Sequence, residues 1–95
     1  MSYGTVMIGK LKTPGTGQTL VDGGRKWEER KVDGFQGSYS LLGDDGTTVV
    51  TCVTFESKAQ YMSLADSPAQ DEWWQSTMAP LLDGDPQWFD GEWAE

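Results

Sequence analysis

The sequence has no histidine and a single cysteine, Cys52. Without imidazole the chain has no neutral nitrogen ligand and no ordinary base near pH 7, which excludes His-dependent catalytic triads, His-ligated zinc and His-ligated haem. One cysteine can form neither an internal disulfide nor a thiolate metal cluster. Because Cys52 lies within a run of β-branched residues, we expect it to be an unreactive small hydrophobic residue.

Basic residues are also few, since seven Lys and Arg stand against fifteen Asp and Glu and the net charge is −8. After Lys31 the chain has one basic residue, Lys58, and twelve acidic ones. Phosphate groups are bound by clustered Lys and Arg, so we expect neither nucleic acid nor an anionic membrane as a partner. No apolar run approaches the roughly 20 residues that span a bilayer, and the N-terminus lacks the pattern of a secretion signal. We therefore expect a cytoplasmic protein.

At 95 residues the chain has the size of one small domain, which we place at residues 1–95. Alternating side chains predict a first strand over residues 3–11. Apolar residues at spacings near 3.6 predict a helix around Trp27. A glycine in a helix interior costs about 1 kcal/mol against alanine. We therefore expect this helix to begin after the pair Gly23-Gly24, the alternative being that these glycines let another backbone approach.

Residues 35–42 alternate regularly and predict a second strand, with Phe35 and Tyr39 on one face. The sequence of residues 43–46, Gly-Asp-Asp-Gly, is typical of a hairpin turn, because Asp and Gly tolerate positive φ angles. The β-branched residues that follow predict a third strand over residues 47–55.

Two capping boxes predict two helical segments in the second half of the chain. In the first, Ser57 is followed by Gln60; in the second, Ser67 is followed by Pro68 and Gln70. A last strand is predicted over residues 87–94. The resulting order, βαββαβ, predicts an α+β fold of the ferredoxin-like kind, with a four-stranded antiparallel sheet and its helices on one face.

Such a sheet leaves its other face bare, yet strands one, three and four carry large apolar residues on both faces. A small chain that exposed this surface would carry an apolar patch well above a few hundred Å². A second copy packed sheet to sheet about a two-fold axis would cover it. We therefore expect a homodimer joined through this face.

Three short segments, taken in order, carry a family resemblance. Residues 33–37 (Asp-Gly-Phe-Gln-Gly) enter the second strand, residues 50–57 lead through Phe-Glu-Ser into a helix, and residues 66–68 (Asp-Ser-Pro) open an aromatic-bearing helix. Over nearly the whole chain the sequence resembles the dimeric α/β-barrel proteins of the antibiotic-biosynthesis-monooxygenase type. The resemblance implies a dimeric α/β barrel, and its members include cofactor-free monooxygenases of phenolic or quinol substrates and proteins of no assigned activity. The haem-degrading members are excluded because their axial histidine is missing.

The resemblance also implies positions for a site. Enzymes of this type often have Trp at the end of the third strand, Asn four residues earlier and an aromatic residue six residues later. These positions correspond to Phe55, Thr51 and Tyr61 in this sequence. Tyr61 fits the pattern, whereas Phe55 lacks the indole N–H and Thr51 offers a hydroxyl in place of an amide.

Cofactor-free oxygenation needs an apolar pocket and hydrogen-bonding groups near the developing charge. We expect Tyr61, Thr51 and Trp74 to carry the chemistry in a cavity between sheet and helices, with no metal or cofactor. The substrate-binding walls are expected to be Tyr39, Phe55, Trp73, Met78 and Trp27. The alternative is that these aromatic residues only fill the core, and that the chain is a non-catalytic small-molecule-binding or structural dimer module of the same fold.

The remaining tryptophans are assigned by geometry. Adjacent residues of a helix point about 100° apart, so we expect one of Trp73 and Trp74 to line the pocket while the other packs elsewhere. Trp88 and Trp93 are an odd number of residues apart and should point to opposite faces of the last strand, as core and interface anchors.

Overall fold

The computed structural model describes residues 2–94; Met1 and Glu95, the ends of the predicted domain, lie outside the described residues. The elements are strand β1 (Tyr3–Lys10), helix α1 (Gly17–Glu28), strands β2 (Phe35–Leu42) and β3 (Thr48–Phe55), helices α2 (Lys58–Ala65) and α3 (Pro68–Trp73), and strand β4 (Gln87–Glu92). Helix α3 continues into a π-helical turn, Trp74–Met78, and a 3₁₀ turn, Ala79–Leu81. The strands pair antiparallel in the order β2-β3-β1-β4. The ferredoxin-like α+β fold is thus confirmed.

A β-bulge in β2 decides which of its side chains face the helices. Phe35 pairs with Phe55, but Gly37 pairs with Thr54, so Gln36 is an extra residue on this strand. Gly37 has φ 155°, a value that side chains other than glycine rarely adopt. The extra residue inverts the alternation, and the prediction that Phe35 and Tyr39 share a face is wrong.

The hairpin between β2 and β3 forms where the sequence predicted it, with Gly46 at φ 78°. The Asp45 carboxylate accepts hydrogen bonds from the Thr48 hydroxyl at 2.6 Å and from the backbone N–H groups of Thr48 and Thr47 at 2.8 and 2.9 Å. These hydrogen bonds hold the pKa of Asp45 well below its ordinary value, and the bond from the Thr48 hydroxyl has the largest effect. Because Thr47 belongs to the turn, β3 begins one residue later than predicted.

Helix α1 runs through both glycines, so the expectation that it begins after Gly23-Gly24 is wrong. Burial of Leu20 and Trp27 against the rest of the core stabilises the helix enough to include them. A Cβ on Gly23 would lie 3.4 Å from Met78 Sδ and from Thr77 Cγ2, which is van der Waals contact with side chains of the π-helical turn rather than with a neighbouring backbone. Gly24 has no atom near its missing Cβ.

The two predicted capping boxes differ in outcome. The Ser57 hydroxyl accepts from the Gln60 N–H at 3.3 Å and donates to the Gln60 side chain at 2.9 Å, as predicted for the start of α2. At the start of α3, Pro68 occupies the first turn, but the Ser67 side chain makes no capping hydrogen bond. The side-chain oxygen of Gln70 is instead bonded by Trp27, so the second capping box is wrong.

The largest buried cluster lies between the sheet and the helices and consists of Met7, Leu11, Leu20, Val49, Met78 and Leu82; Tyr3, Trp27 and Phe55 are also buried. We call the opposite side of the sheet its outer face. There Tyr39 and Leu41 on β2 and Phe89 on β4 are 85, 68 and 59 % exposed. Strand β4 ends at Glu92 rather than at residue 94, and Trp93 packs beside Gly4 while its backbone N–H bonds Ser2 O at 3.0 Å.

Over residues 2–94, none of the helices combines the length and the apolar character that crossing a membrane requires. The cytoplasmic location and the single domain of residues 1–95 stay predictions.

Candidate functional site

A cavity of about 480 Å³ lies between the inner face of the sheet and the helical layer. Strands β1 and β3 supply its floor, and α1, α2, α3 and the π-helical turn supply its walls. Seven of the twenty lining residues are aromatic: Trp27, Phe35, Phe55, Tyr61, Trp73, Trp74 and Trp88. A flat apolar compound is the ligand that such a lining suits.

The rings form a connected row along one side of the cavity. Trp27 contacts Trp73 with ring centroids 6.1 Å apart and meets Phe35 edge to face at 5.1 Å. From Phe35 the row continues through Phe55 to Tyr61, with centroid separations of 5.7 and 5.6 Å. These tilted and edge-to-face contacts are the favoured geometries of aromatic pairs and fix the rings as a preformed wall.

A second aromatic pair is formed by Trp74 and Trp88, with centroids 5.1 Å apart. Trp73 and Trp74 therefore both line the cavity, and the expectation that one of them packs elsewhere is wrong. Their rings do diverge as helical geometry requires, but the cavity is wide enough to meet both, Trp73 beside Trp27 and Trp74 beside Trp88.

Tyr61 supplies a hydroxyl to the cavity from helix α2. This hydroxyl donates to Asp90 Oδ1 on β4 at 3.1 Å. Burial raises the pKa of Tyr61, the nearby Thr5 hydroxyl opposes part of that rise, and the Asp90 carboxylate adds to it. Near neutral pH the phenol therefore keeps its proton and remains a hydrogen-bond donor.

Thr5 stands in the floor of the cavity and is the cross-strand partner of Asp90. It is 4 % exposed, and its Oγ1 makes no hydrogen bond of good geometry within residues 2–94, although the Tyr61 hydroxyl lies near it. An unpaired buried hydroxyl is uncommon in proteins and calls for an explanation. Thr5 also lines the cavity, which makes a bound ligand a candidate partner for this hydroxyl.

Other polar side chains at the cavity already have partners. The Thr51 hydroxyl is 2.9 Å from the Ser40 hydroxyl, and the Ser38 hydroxyl donates to Glu28 Oε1 at 2.8 Å. Trp27 Nε1 donates to the side-chain oxygen of Gln70 at 2.7 Å and so joins α1 to α3. Thr51 offers a ligand less than an amide would, because one of its few hydrogen-bonding positions is taken.

Seven of the eight residues predicted from the sequence are brought together at this cavity: Tyr61, Thr51, Trp74, Phe55, Trp73, Met78 and Trp27. Tyr39 is the exception, because the bulge in β2 turns it to the outer face, where it is 85 % exposed. The catalytic and binding roles of the seven stay predictions.

Sequence reasoning missed Thr5, Asp90 and Trp88 as residues of this cavity. The alternation of β4 does place Trp88 and Asp90 on one face, but the sequence does not say which face that is. The pairing of β1 with β4, which sets Thr5 opposite Asp90 and Met7 opposite Trp88, decides it. No three metal-ligating side chains lie close enough together to hold a metal ion in the part of the chain that the structure describes.

No protein-family model matches this sequence, and no curated protein matches it. Solved structures do resemble it. The monooxygenase ActVA-Orf6 of Streptomyces coelicolor, in complex with nanaomycin D, has a TM-score of 0.79 at 25 % identity, covering 99 % of this chain and 88 % of that one. SnoaB of Streptomyces nogalater, a cofactor-independent oxygenase, has a TM-score of 0.73 at 9 % identity, covering 98 and 95 %.

A dimeric ferredoxin-like protein of unknown function from Jannaschia sp. CCS1 has a TM-score of 0.70 at 13 % identity, covering 97 % of this chain and 99 % of that one. The chain therefore has the fold of the antibiotic biosynthesis monooxygenase proteins, which its sequence motifs indicated.

Proposed function

We propose that the chain binds a small aromatic or quinol-type compound in the cavity between sheet and helices and oxidises it with O₂, without a metal or flavin. The observation that carries this proposal is the preformed aromatic cavity of about 480 Å³ with the Tyr61 hydroxyl at its wall. The likeness to ActVA-Orf6 and SnoaB supports the choice of reaction. Fold alone does not fix a function, so the proposal depends on the site and requires a direct test.

The proposed reaction balances with O₂ as the only oxidant. In an anthrone-type substrate, a ring CH₂ group becomes C=O, so two C–H bonds break and the carbon loses four electrons. O₂ accepts the four electrons; one oxygen atom forms the carbonyl and the other leaves as water with the two hydrogens. The substrate has to release a proton before it reacts, and a negative charge then develops on its oxygen.

The side chains of the cavity would serve this reaction in different ways. To stabilise the substrate oxygen where charge develops, the protonated Tyr61 hydroxyl would turn from Asp90 Oδ1 and donate its hydrogen bond to that oxygen, and removing such a donor commonly costs a hundredfold or more in rate. Trp74 and the aromatic row would hold the ring and exclude water. The Thr51 hydroxyl would contribute a second, weaker polar contact.

Oxygen uptake with a panel of hydroquinones and anthrones tests the proposal, together with saturable quenching of tryptophan fluorescence as a measure of binding. Tyr61→Phe should lower turnover by about a hundredfold while binding persists, and Trp74→Phe should weaken both. Tyr39→Phe, which removes a hydroxyl outside the cavity, is the matched control and should change neither. Quenching without oxygen uptake would instead identify a non-catalytic binding protein, and the absence of both would refute the proposal.

We also propose that two copies associate through the outer face. The exposed Tyr39, Leu41 and Phe89 lie there together with Val6 and Ile8 of the central strand. Large exposed apolar patches of this kind mark interaction surfaces. The dimeric ferredoxin-like protein of the same fold supports a second copy as the partner.

Analytical ultracentrifugation tests the dimer. The unmodified chain should sediment at twice its mass of 10.5 kDa. Leu41→Lys places a charge in the outer face and should shift the protein towards monomer. Gln18→Lys, on an exposed position of α1, adds the same charge away from that face and should leave the dimer intact. A monomer at micromolar concentration in the unmodified protein would refute the interface.

A further inference from the structure

Three oxygen-bearing side chains of the cavity wall lie together on its β1–β4 side. The Tyr61 hydroxyl is 3.1 Å from Asp90 Oδ1, and Asp90 is the direct cross-strand partner of Thr5. We call Thr5, Tyr61 and Asp90 the oxygen triad. All three line the cavity.

The oxygen triad has unused hydrogen-bonding capacity. Thr5 Oγ1 is buried and has no partner among the described residues, although a threonine hydroxyl can donate one hydrogen bond and accept two. The Asp90 carboxylate receives one hydrogen bond, from Tyr61, and a carboxylate has room for about four. A group that donates several hydrogen bonds would therefore be matched by the free lone pairs of Asp90 and Thr5.

The charged residues around the cavity also favour a ligand group that donates hydrogen bonds. The charged residues that line the described cavity, Asp71 and Asp90, are both acidic. Glu28 lies just behind the wall, bonded to Ser38. Arg30 stacks over the Trp73 ring at 5.9 Å but does not line the cavity. A ligand with a fixed negative charge would therefore meet repulsion from these carboxylates, and a cation would meet attraction that water screens in part, because Asp71 and Asp90 are exposed.

We propose that the cavity selects an aromatic ligand that carries a protonated amine, bound by Thr5, Tyr61 and Asp90, and rejects rings that carry a carboxylate. An ammonium group has three N–H donors, which match the free lone pairs of the oxygen triad. The paired indoles of Trp74 and Trp88 add aromatic faces, to which cations are attracted. The inference rests on the proposed function, because it names the class of aromatic ligand for the same cavity.

Isothermal titration calorimetry with three ligands of one ring system tests the inference. At pH 7, naphthylmethylamine is a cation, methylnaphthalene is neutral and naphthylacetate is an anion. In about 0.15 M salt, charges more than about 8 Å away are largely screened, so the net charge of the chain does not set the order. We expect the amine to bind about tenfold more tightly than the neutral ring, because hydrogen bonds to charged groups contribute more than neutral ones. The anion should bind about tenfold more weakly than the neutral ring.

Asp90→Asn keeps the shape of the side chain and removes its charge. It should weaken binding of the amine about tenfold, strengthen binding of the anion and leave the neutral ring unchanged. Glu92→Gln is the matched control, since it removes a carboxylate from the same strand and the same side of β4, outside the cavity. The order of the three ligands should persist in that variant.

The outcomes separate this inference from the proposed function. If the neutral ring binds but the amine has no advantage, or if the advantage persists in Asp90→Asn, the oxygen triad does not select the ligand and the inference is overturned. The cavity would still be an aromatic binding site in that case. If none of the three ligands binds, the inference is refuted, and oxygen uptake with hydroquinones and anthrones then decides the proposed function separately.

Discussion

Replacing Thr5 by valine should make the protein more stable, because the substitution removes a buried hydroxyl that has no partner. Thr5 is 4 % exposed, and its Oγ1 is unpaired within the described chain. Valine has nearly the same shape and a high strand propensity, so the packing of β1 should persist. A buried polar group without a hydrogen bond costs about 1–3 kcal/mol. We therefore expect the free energy of unfolding to rise by about 1 kcal/mol or more.

Urea denaturation followed by tryptophan fluorescence measures this change. Protein concentration must be held constant, since the unfolding of a dimer depends on it. Thr51→Val is the matched control, because Thr51 also lines the cavity but its hydroxyl is 2.9 Å from that of Ser40. Losing that hydrogen bond should lower the free energy of unfolding by up to about 1 kcal/mol. The two Thr→Val variants should thus change stability in opposite directions.

The same variant should bind naphthylmethylamine more weakly, because one oxygen of the triad is gone. If the Thr5 hydroxyl serves a ligand, removing it should raise stability and weaken binding. If the hydroxyl instead stabilises the fold, removing it should lower stability. In a domain of this size each kcal/mol corresponds to about 4–8 °C in Tm, so thermal unfolding is a sufficient check. A Thr5→Val protein less stable than the unmodified one would refute the reasoning.

Three further predictions concern the fold. Gly24→Ala should raise the free energy of unfolding by up to about 1 kcal/mol, because the glycine lies inside α1 with open space at its Cβ position; a loss of stability in urea would show that the site is strained. Since the folded-state pKa of Asp45 is lowered, its contribution is present at neutral pH and is lost as the pH falls below about 4. Asp45→Asn should therefore make stability less dependent on pH in acid, and an unchanged acid titration of Tm would contradict this. Trp27→Phe should cost about 2 kcal/mol, because it shrinks a buried ring and leaves the Gln70 oxygen without its donor. A cost near zero in the same urea assay would mean that the Trp27 to Gln70 link does not hold α1 against α3.

Features governed by neighbouring residues were predictable from the sequence. The turn at residues 43–46 and the Ser57 cap form as predicted, because each depends on side-chain to backbone bonds that span two or three residues. The β-branched and alternating patterns gave the four strands within one or two residues of their ends, and the element order then limited the fold to few topologies.

The features that the sequence misjudged depend on packing between distant elements. Ser67 and Gln70 have the spacing of a capping box, but Gln70 is bound by Trp27, which is 43 residues away along the chain. The glycines of α1 are tolerated because tertiary burial outweighs their low helix propensity. Tyr39 leaves the cavity because one extra residue in β2 exchanges the two faces of the strand.

The sequence by itself determined the kind of protein. It contains no histidine and so excluded imidazole chemistry, it specified βαββαβ, and it supplied the aromatic residues for a cavity. Only the tertiary structure decided which side chains share that cavity. The register of β1 against β4 places the unpaired Thr5 beside Asp90, and the helical layer brings the Tyr61 hydroxyl to Asp90. The local pattern shows which residues of a strand share a face, but it does not show which face points into the core. Long-range pairing and burial decide that.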